Sequence, residues 1–157
     1  GRTPYQGRFL GTSVNDKEAV SRAFSLTKAN RLKDKKFAIL SGGEKQKIVI
    51  ARAVAQTTPW MLLDEPIASL DIKNQIEIMQ TLLELNRQEG VSVLMVLHDI
   101  NLAGIYCDRL IMLKDGQVIA AGNTNECLCE ENLKKLYDIS FFHMDTKKGQ
   151  RYYYAEI

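Results

Sequence analysis

The sequence contains no Gly-rich loop of the form G-x-x-x-x-G-K-[ST], so it lacks the amide nest and lysine with which that motif cradles nucleotide phosphates. No apolar run approaches the roughly 20 residues that span a bilayer, and Gly1 opens no signal peptide. A membrane role is therefore expected only through a partner. Charge of one sign is also scarce: 21 basic against 19 acidic residues leave +2, too little and too dispersed to mark a nucleic-acid or lipid surface. Cysteine is limited to three residues, and Cys127-Leu128-Cys129 matches no zinc spacing. These read as reduced thiols of a cytosolic protein, with no assigned chemistry. The sequence does hold 45% hydrophobic and 25% charged residues over a length of 157, enough for one globular domain with a sizeable core.

Along the chain, residues 1–15 are rich in Gly, Pro, Thr and Asn and read as an irregular lead-in, with a helix expected from Asp16 to about Thr27. Ser41 and Glu44 stand in the S-x-x-E capping-box relation, which predicts a helix running through Ala55 with Ile48, Ala51 and Ala55 on one face. Residues 60–63 form a continuous apolar run ending in Asp64-Glu65-Pro66, as expected of a strand buried on both faces. Asp71 can cap a helix with Ile72, Ile76, Met79 and Leu83 at helical spacing before Gly90, and residues 93–97 give a second apolar strand. Strand, helix, strand implies an α/β fold with a parallel sheet. A short helix near 100–106 precedes strand 109–113, a Lys114-Asp115-Gly116-Gln117 turn and a returning strand at 118–120. Helical pattern fills 124–137. The tail reads as an antiparallel hairpin, Phe141, Phe142 and His143 pairing with residues 151–157 around Lys147-Lys148-Gly149-Gln150.

Three places could carry chemistry. A Ser followed by two glycines at a helix start presents unpaired N–H groups to which an anion can come close, since no Cβ intervenes; taken alone, Ser41 to Glu44 is also a plain capped helix. Asp64-Glu65 stands at the carboxyl end of a buried strand, the usual ligand edge of a parallel sheet, where one carboxylate can hold Mg²⁺ and the next activate a nucleophile. Alone, it is equally a solvated loop start. His98-Asp99 follows the second strand and places an imidazole at the same edge, whereas a lone histidine is more commonly structural. His143, in the tail hairpin, is left as structural.

Together these pieces resemble the ATP-binding-cassette (ABC) family from Gly1 to about Gly122. Leu40-Ser41-Gly42-Gly43-Glu44-Lys45-Gln46 resembles its signature motif, and Met61-Leu62-Leu63-Asp64-Glu65-Pro66 its Walker B motif. Ser69-Leu70-Asp71, His98-Asp99 and Asp108 to Gly116 follow in the family's order. The resemblance implies a P-loop NTPase-like α/β core: an incomplete parallel sheet flanked by helices, with a helical subdomain and C-terminal antiparallel hairpins. It implies that Ser41, Gly42 and Gly43 contact the γ-phosphate of ATP held by an opposite subunit, with Glu44 where the family has Gln. Asp64 would hold the Mg²⁺ shell, Glu65 polarise the attacking water, His98 contact the γ-phosphate and Asp71 sit in the D-loop across the dimer interface. Ile67-Ala68 replaces a more polar D-loop start.

The resemblance also places the Walker A loop, the adenine-stacking aromatic residue and the Q-loop Gln ahead of Gly1. The chain is accordingly expected to be the C-terminal portion of an ATPase, unable by itself to bind or hydrolyse ATP efficiently. A missing strand would leave apolar edges, so self-association is expected. Gly1-Arg2-Thr3-Pro4-Tyr5-Gln6-Gly7-Arg8-Phe9, Glu44 and His98 to Ala103 are similar to ATPases of importers for ferric siderophores, haem and cobalamin. On that resemblance residues 1–58 form the helical subdomain that docks on a membrane permease, 59–122 the rest of the ATPase core, and 123–157 an extension. The cofactors implied are ATP and Mg²⁺, and the partners a second ATPase subunit in a homodimer and the permease. The location implied is peripheral, at the cytoplasmic face of the cell membrane, with no direct nucleic-acid contact or membrane insertion. Two other readings stay open: the C-terminal lobe of a chromosome-maintenance or double-strand-break-repair ATPase, and a non-catalytic interaction module. No coiled-coil heptads before Leu40 and no basic face favour the first.

Overall fold

The structure, a computed structural model, describes residues 1–5, 13–147 and 149–156. Gln6 to Phe9 of the importer-like segment, and Lys148 and Ile157 of the tail hairpin, lie outside the described residues. The chain divides into two compact units, Gly1–Val96 and Leu97–Ile157.

In the first unit, α1 (Val14–Leu26) begins two residues earlier than expected because Ser13, not Asp16, is its N-cap. Asp16 instead closes a capping box, its backbone N–H donating to Ser13 Oγ at 3.1 Å and its carboxylate accepting from Ser13 N at 3.0 Å. Helix α2 (Gly42–Val54) starts at the expected box. Small residues Ala23, Ala51 and Ala55 let α1 and α2 approach closely, with Val20 and Val54 around them. Ile48 packs only partly, against Ala29, Leu32 and Leu40, and the wholly buried side chain of α2 is Ile50.

Strands β1 (Trp60–Leu63) and β2 (Ser92–Met95) pair in parallel, Trp60 opposite Ser92 and Leu63 opposite Met95, joined by α3 (Ile72–Glu89) as the crossover that parallel pairing requires. Asp71 caps α3, and Gly90, in the left-handed region at φ 67°, ends it. Its buried stripe is Ile78, Met79, Leu82 and Leu85; Ile72 and Ile76, expected on that face, lie 75% and 37% exposed. The sheet also departs from expectation. Met61 is buried, but Trp60, Leu62, Leu94 and Val96 are all exposed, so one face is covered and the other bare. An apolar run records what a strand can bury, and two strands alone do not bring a cover for both faces.

In the second unit, α4 (Ile100–Tyr106) precedes the antiparallel pair β3 (Arg109–Lys114) and β4 (Gln117–Asn123). Their turn residues Asp115 and Gly116 both have positive φ, 49° and 76°, as a tight hairpin of primed type demands. The expected continuous helix over 124–137 is two, α5 (Thr124–Cys127) and α6 (Glu130–Tyr137). The chain breaks there because Leu128 turns into the core and Asn132 Nδ2 takes the Cys127 carbonyl at 2.8 Å. Strands β5 (Phe141–Asp145) and β6 (Arg151–Ala155) form the expected hairpin. Met112, Cys127, Leu128, Leu133 and Tyr153 make this unit's core. Asn101 fastens α4 to β6, accepting from Tyr153 N at 2.8 Å and donating to Tyr153 O at 3.2 Å.

Candidate functional site

The site begins where β1 runs out. Asp64 and Glu65 emerge exposed, while Pro66 and Ile67 turn back into the interior. The reversal is made at Glu65, whose φ of 44° is in the left-handed region, a conformation that costs a non-glycine residue of order 1 kcal/mol and concentrates at functional sites. Two turns then carry the chain to α3: Ala68 N donates to Glu65 O at 3.3 Å and Leu70 N to Ile67 O at 3.2 Å. Asp71 receives Asn74 N at 2.9 Å and Asn74 Nδ2 at 2.8 Å. The Asn74 backbone bond, then its side chain, hold the Asp71 carboxyl below the usual carboxylate range.

Ser41 to Glu44 sits against that loop. Ser41 Oγ accepts from Glu44 N at 3.3 Å while Glu44 Oε2 accepts from Ser41 N at 3.0 Å. The Ser41 backbone bond chiefly, with Lys35 at 3.4 Å, keeps the Glu44 carboxyl ionised below its ordinary range. Gly42 and Gly43 occupy the first turn of α2, where N–H groups have no acceptor inside the helix. A Cβ on Gly42 would lie 3.7 Å from Leu70 Cδ2, and one on Gly43 would overlap the Asn74 carboxamide. Thus Ser41, Gly42, Gly43, Glu44 and Asp71 share one neighbourhood, continuous in chain with Asp64 and Glu65. His98, next to Leu97 at the start of the second unit, is an exposed residue between β2 and α4, followed by Asp99, which caps α4 by accepting from Asn101 N at 2.9 Å and Leu102 N at 2.8 Å.

Among the described residues, no three His, Cys, Asp or Glu side chains cluster as metal ligands. A single exposed carboxylate at a strand end does fit Mg²⁺, which keeps most of its water and relies on substrate phosphates for the rest. Sequence reasoning did not find Asn74, Gln75 or the Lys47–Glu77 pair at 2.6 Å, all on the seam of α2 and α3. The polar residues one helical turn into each helix were the available signal.

Comparison with known proteins gives this geometry a family. The family described as ABC transporter matches residues 4–68, which include both Ser41 to Glu44 and Asp64-Glu65. The ferric enterobactin transport ATP-binding protein FepC of Escherichia coli is 39% identical over 145 residues, covering 92% of this chain and 54% of its own length. Over nine-tenths of its length the chain is similar to ATP-binding proteins of the ABC transporter family. The cobalamin import ATP-binding protein BtuD of Halobacterium salinarum is 38% identical over 138 residues, or 88% of this chain and 34% of its own length. A solved transporter assigned to the metal-chelate type, in an inward-facing conformation, superposes with a TM-score of 0.92 at 26% identity, covering 99% of this chain and 63% of that one. The dimeric ATP-binding cassette MJ0796, bound to ADP and Pi, matches at a TM-score of 0.62 and 34% identity, covering 77% of this chain and 52% of its own. The fold is therefore that of an ABC ATPase cassette, and the chain spans about half the length of the first curated relatives it matches. The DNA-maintenance reading finds no support among these relatives.

Proposed function

We propose that this chain is the signature-bearing and Walker B-bearing portion of the ATP-hydrolysing subunit of an importer for ferric siderophore, haem or cobalamin. The observation that carries the reading is the seating of Ser41-Gly42-Gly43 on the loop that continues from Asp64-Glu65. The segment that would offer its amides to a phosphate thus rests on the far end of the loop that begins with the acids that would serve hydrolysis. Relatives named for ferric enterobactin and cobalamin transport support the cargo class.

In this reading Ser41 and the first amides of α2, with their partial positive charge, face the γ-phosphate of ATP held by a second subunit. Glu44 keeps Ser41 in place through the capping box. Asp64 would hold Mg²⁺, which when bound neutralises phosphate charge. Glu65 orients and polarises the attacking water, its carboxylate aimed by the left-handed turn. His98 hydrogen-bonds the γ-phosphate, and Asp71 faces the second subunit. Catalysis is then positioning and preorganised charge rather than covalent chemistry. Residues 1–58 dock on the permease, 59–122 complete the core and 123–157 extend it. The assembly lies peripherally on the cytoplasmic side of the membrane, and no helix among the described residues is long and apolar enough to cross one.

Calorimetry with ATP and Mg²⁺ tests the division of labour. The chain by itself shows no micromolar binding, for want of a Walker A loop. Joined in one ATPase with such a loop, its Glu65→Gln variant binds ATP as the wild type does but releases phosphate at background rate. Micromolar binding by the chain alone, or retained turnover in Glu65→Gln, overturns the assignment.

A further inference from the structure

The seam between α2 and α3 places the two functional segments of the first unit in one another's grip. Asn74 is in the first turn of α3 and does two things at once. Its Nδ2 donates to Asp71 Oδ2 at 2.8 Å, and its carboxamide lies against Gly43, so close that a Cβ there would overlap it. Gly43 is buried under this contact. One turn further along both helices the contact repeats as an ion pair, Lys47 Nζ to Glu77 Oε2 at 2.6 Å. The middle of the intervening loop is also held from α3, by Gln75 Nε2 donating to Ile67 O at 3.3 Å.

These contacts join segments with different allegiances. Asp64 and Glu65 would act on nucleotide belonging to their own subunit, whereas Ser41-Gly42-Gly43 would act on nucleotide belonging to the partner. We propose that Asn74 is a positioning residue that couples the two, so that a displacement of the Glu65–Asp71 loop moves the first turn of α2 with it. This deepens the functional reading above and rests on it. The residue type suits the role. A shorter side chain leaves a gap over Gly43, and Asp would set a second carboxylate against Asp71. The planar amide instead fills the space and donates to the cap. Because each subunit lends one segment to each of two composite sites, the link gives the state of one site a route to the other without any contact between nucleotides.

A double-mutant cycle on the ¹⁵N-labelled 157-residue chain, without nucleotide, tests the coupling. Asp71→Ala shifts the amide resonances of Gly42 and Gly43 and speeds hydrogen exchange at Glu44 and Lys45 by about tenfold. In an Asn74→Ala background the same Asp71→Ala change has less than about a twofold effect at Glu44 and Lys45. If Asn74→Ala does not fold, Gly43→Ala, which pushes the carboxamide aside, supplies the uncoupled background. A purely local capping role confines the Asp71→Ala response to the start of α3. That outcome, or an equal response at Glu44 and Lys45 with and without the Asn74 contact, overturns the proposal. The readout involves no ATP, so its failure is separable from failure of the ATPase reading, which Glu65→Gln tests.

Discussion

Glu65 holds φ at 44° two residues after the extended strand β1 ends at Leu63, and this backbone cost is separable from the carboxylate it presents. Glu65→Ala removes the carboxylate and keeps a Cβ in the left-handed region; Glu65→Gly removes both. Urea denaturation should therefore find Glu65→Gly more stable than Glu65→Ala by about 1 kcal/mol, the usual penalty of a Cβ at positive φ. Equal midpoints would mean that the turn relaxes on substitution. The same contrast shows what residue-level reading of the sequence could reach. Ser41 with Glu44, and Asp71 before its helix, were legible because a cap is a relation between residues three apart on a known geometry. Glu65's strain was not, since nothing in Asp-Glu-Pro dictates which residue takes the reversal. Asn74 was invisible for another reason: its partner Gly43 is 31 positions away, and only the packing of α2 on α3 brings them together.

At the scale of elements, the N-terminus of α1 contains a carboxyl held well below its ordinary range. Asp16 is buried, pairs with Arg2 Nε at 2.7 Å and closes the Ser13 box. The Arg2 guanidinium first, then Ser13, lower its carboxyl from 3.8 to about 2. Arg2 in turn donates to Ala55 O and Thr57 Oγ1, both at 3.2 Å, so the ionised carboxylate organises the start of α1 and the end of α2 together. A carboxyl with a depressed folded pKa stabilises fully above its unfolded value and loses that contribution as pH falls toward the folded one. The difference in urea midpoint between wild type and Asp16→Asn should be constant above about pH 4, narrow below it and close toward pH 2. A difference independent of pH would assign the effect to packing instead. The helix start was misplaced in sequence because Asp16 looks like a cap; Ser13, three residues earlier, is the better one only when the pair is considered together. The split of residues 124–137 into α5 and α6 had no sequence marker such as Pro or Gly, because the break is made by burial of Leu128 and a side-chain bond from Asn132.

For the whole molecule, the decisive feature is apolar surface left in water on the β1–β2 sheet of the first unit and on the β3–β4 sheet of the second. In the first unit Trp60, Leu62, Leu94 and Val96 project from β1, β2 and the residue after it on one face, an exposed apolar patch of the kind that marks an association surface. In the second, Ile111, Leu113 and Val118 are each about 60% exposed on β3 and β4. Both β1 and β2 are edge strands of a two-stranded sheet, and neither Trp60–Leu63 nor Ser92–Met95 contains a charge or a proline, the devices by which natural edges resist pairing. An edge that offers unpaired backbone groups beside an uncovered apolar face recruits whatever strand is available, and in a pure preparation that strand is another copy of the chain. Sedimentation velocity should accordingly show association that grows with concentration, weakened by Leu62→Lys together with Leu94→Lys, which put charge on the bare face and leave the buried Met61 side untouched. A wild-type chain that sediments as a single monomeric species at moderate concentration would show that this face is closed in solution. An unchanged profile in the double variant would move the association to β3 and β4, where Ile111→Lys is the corresponding change.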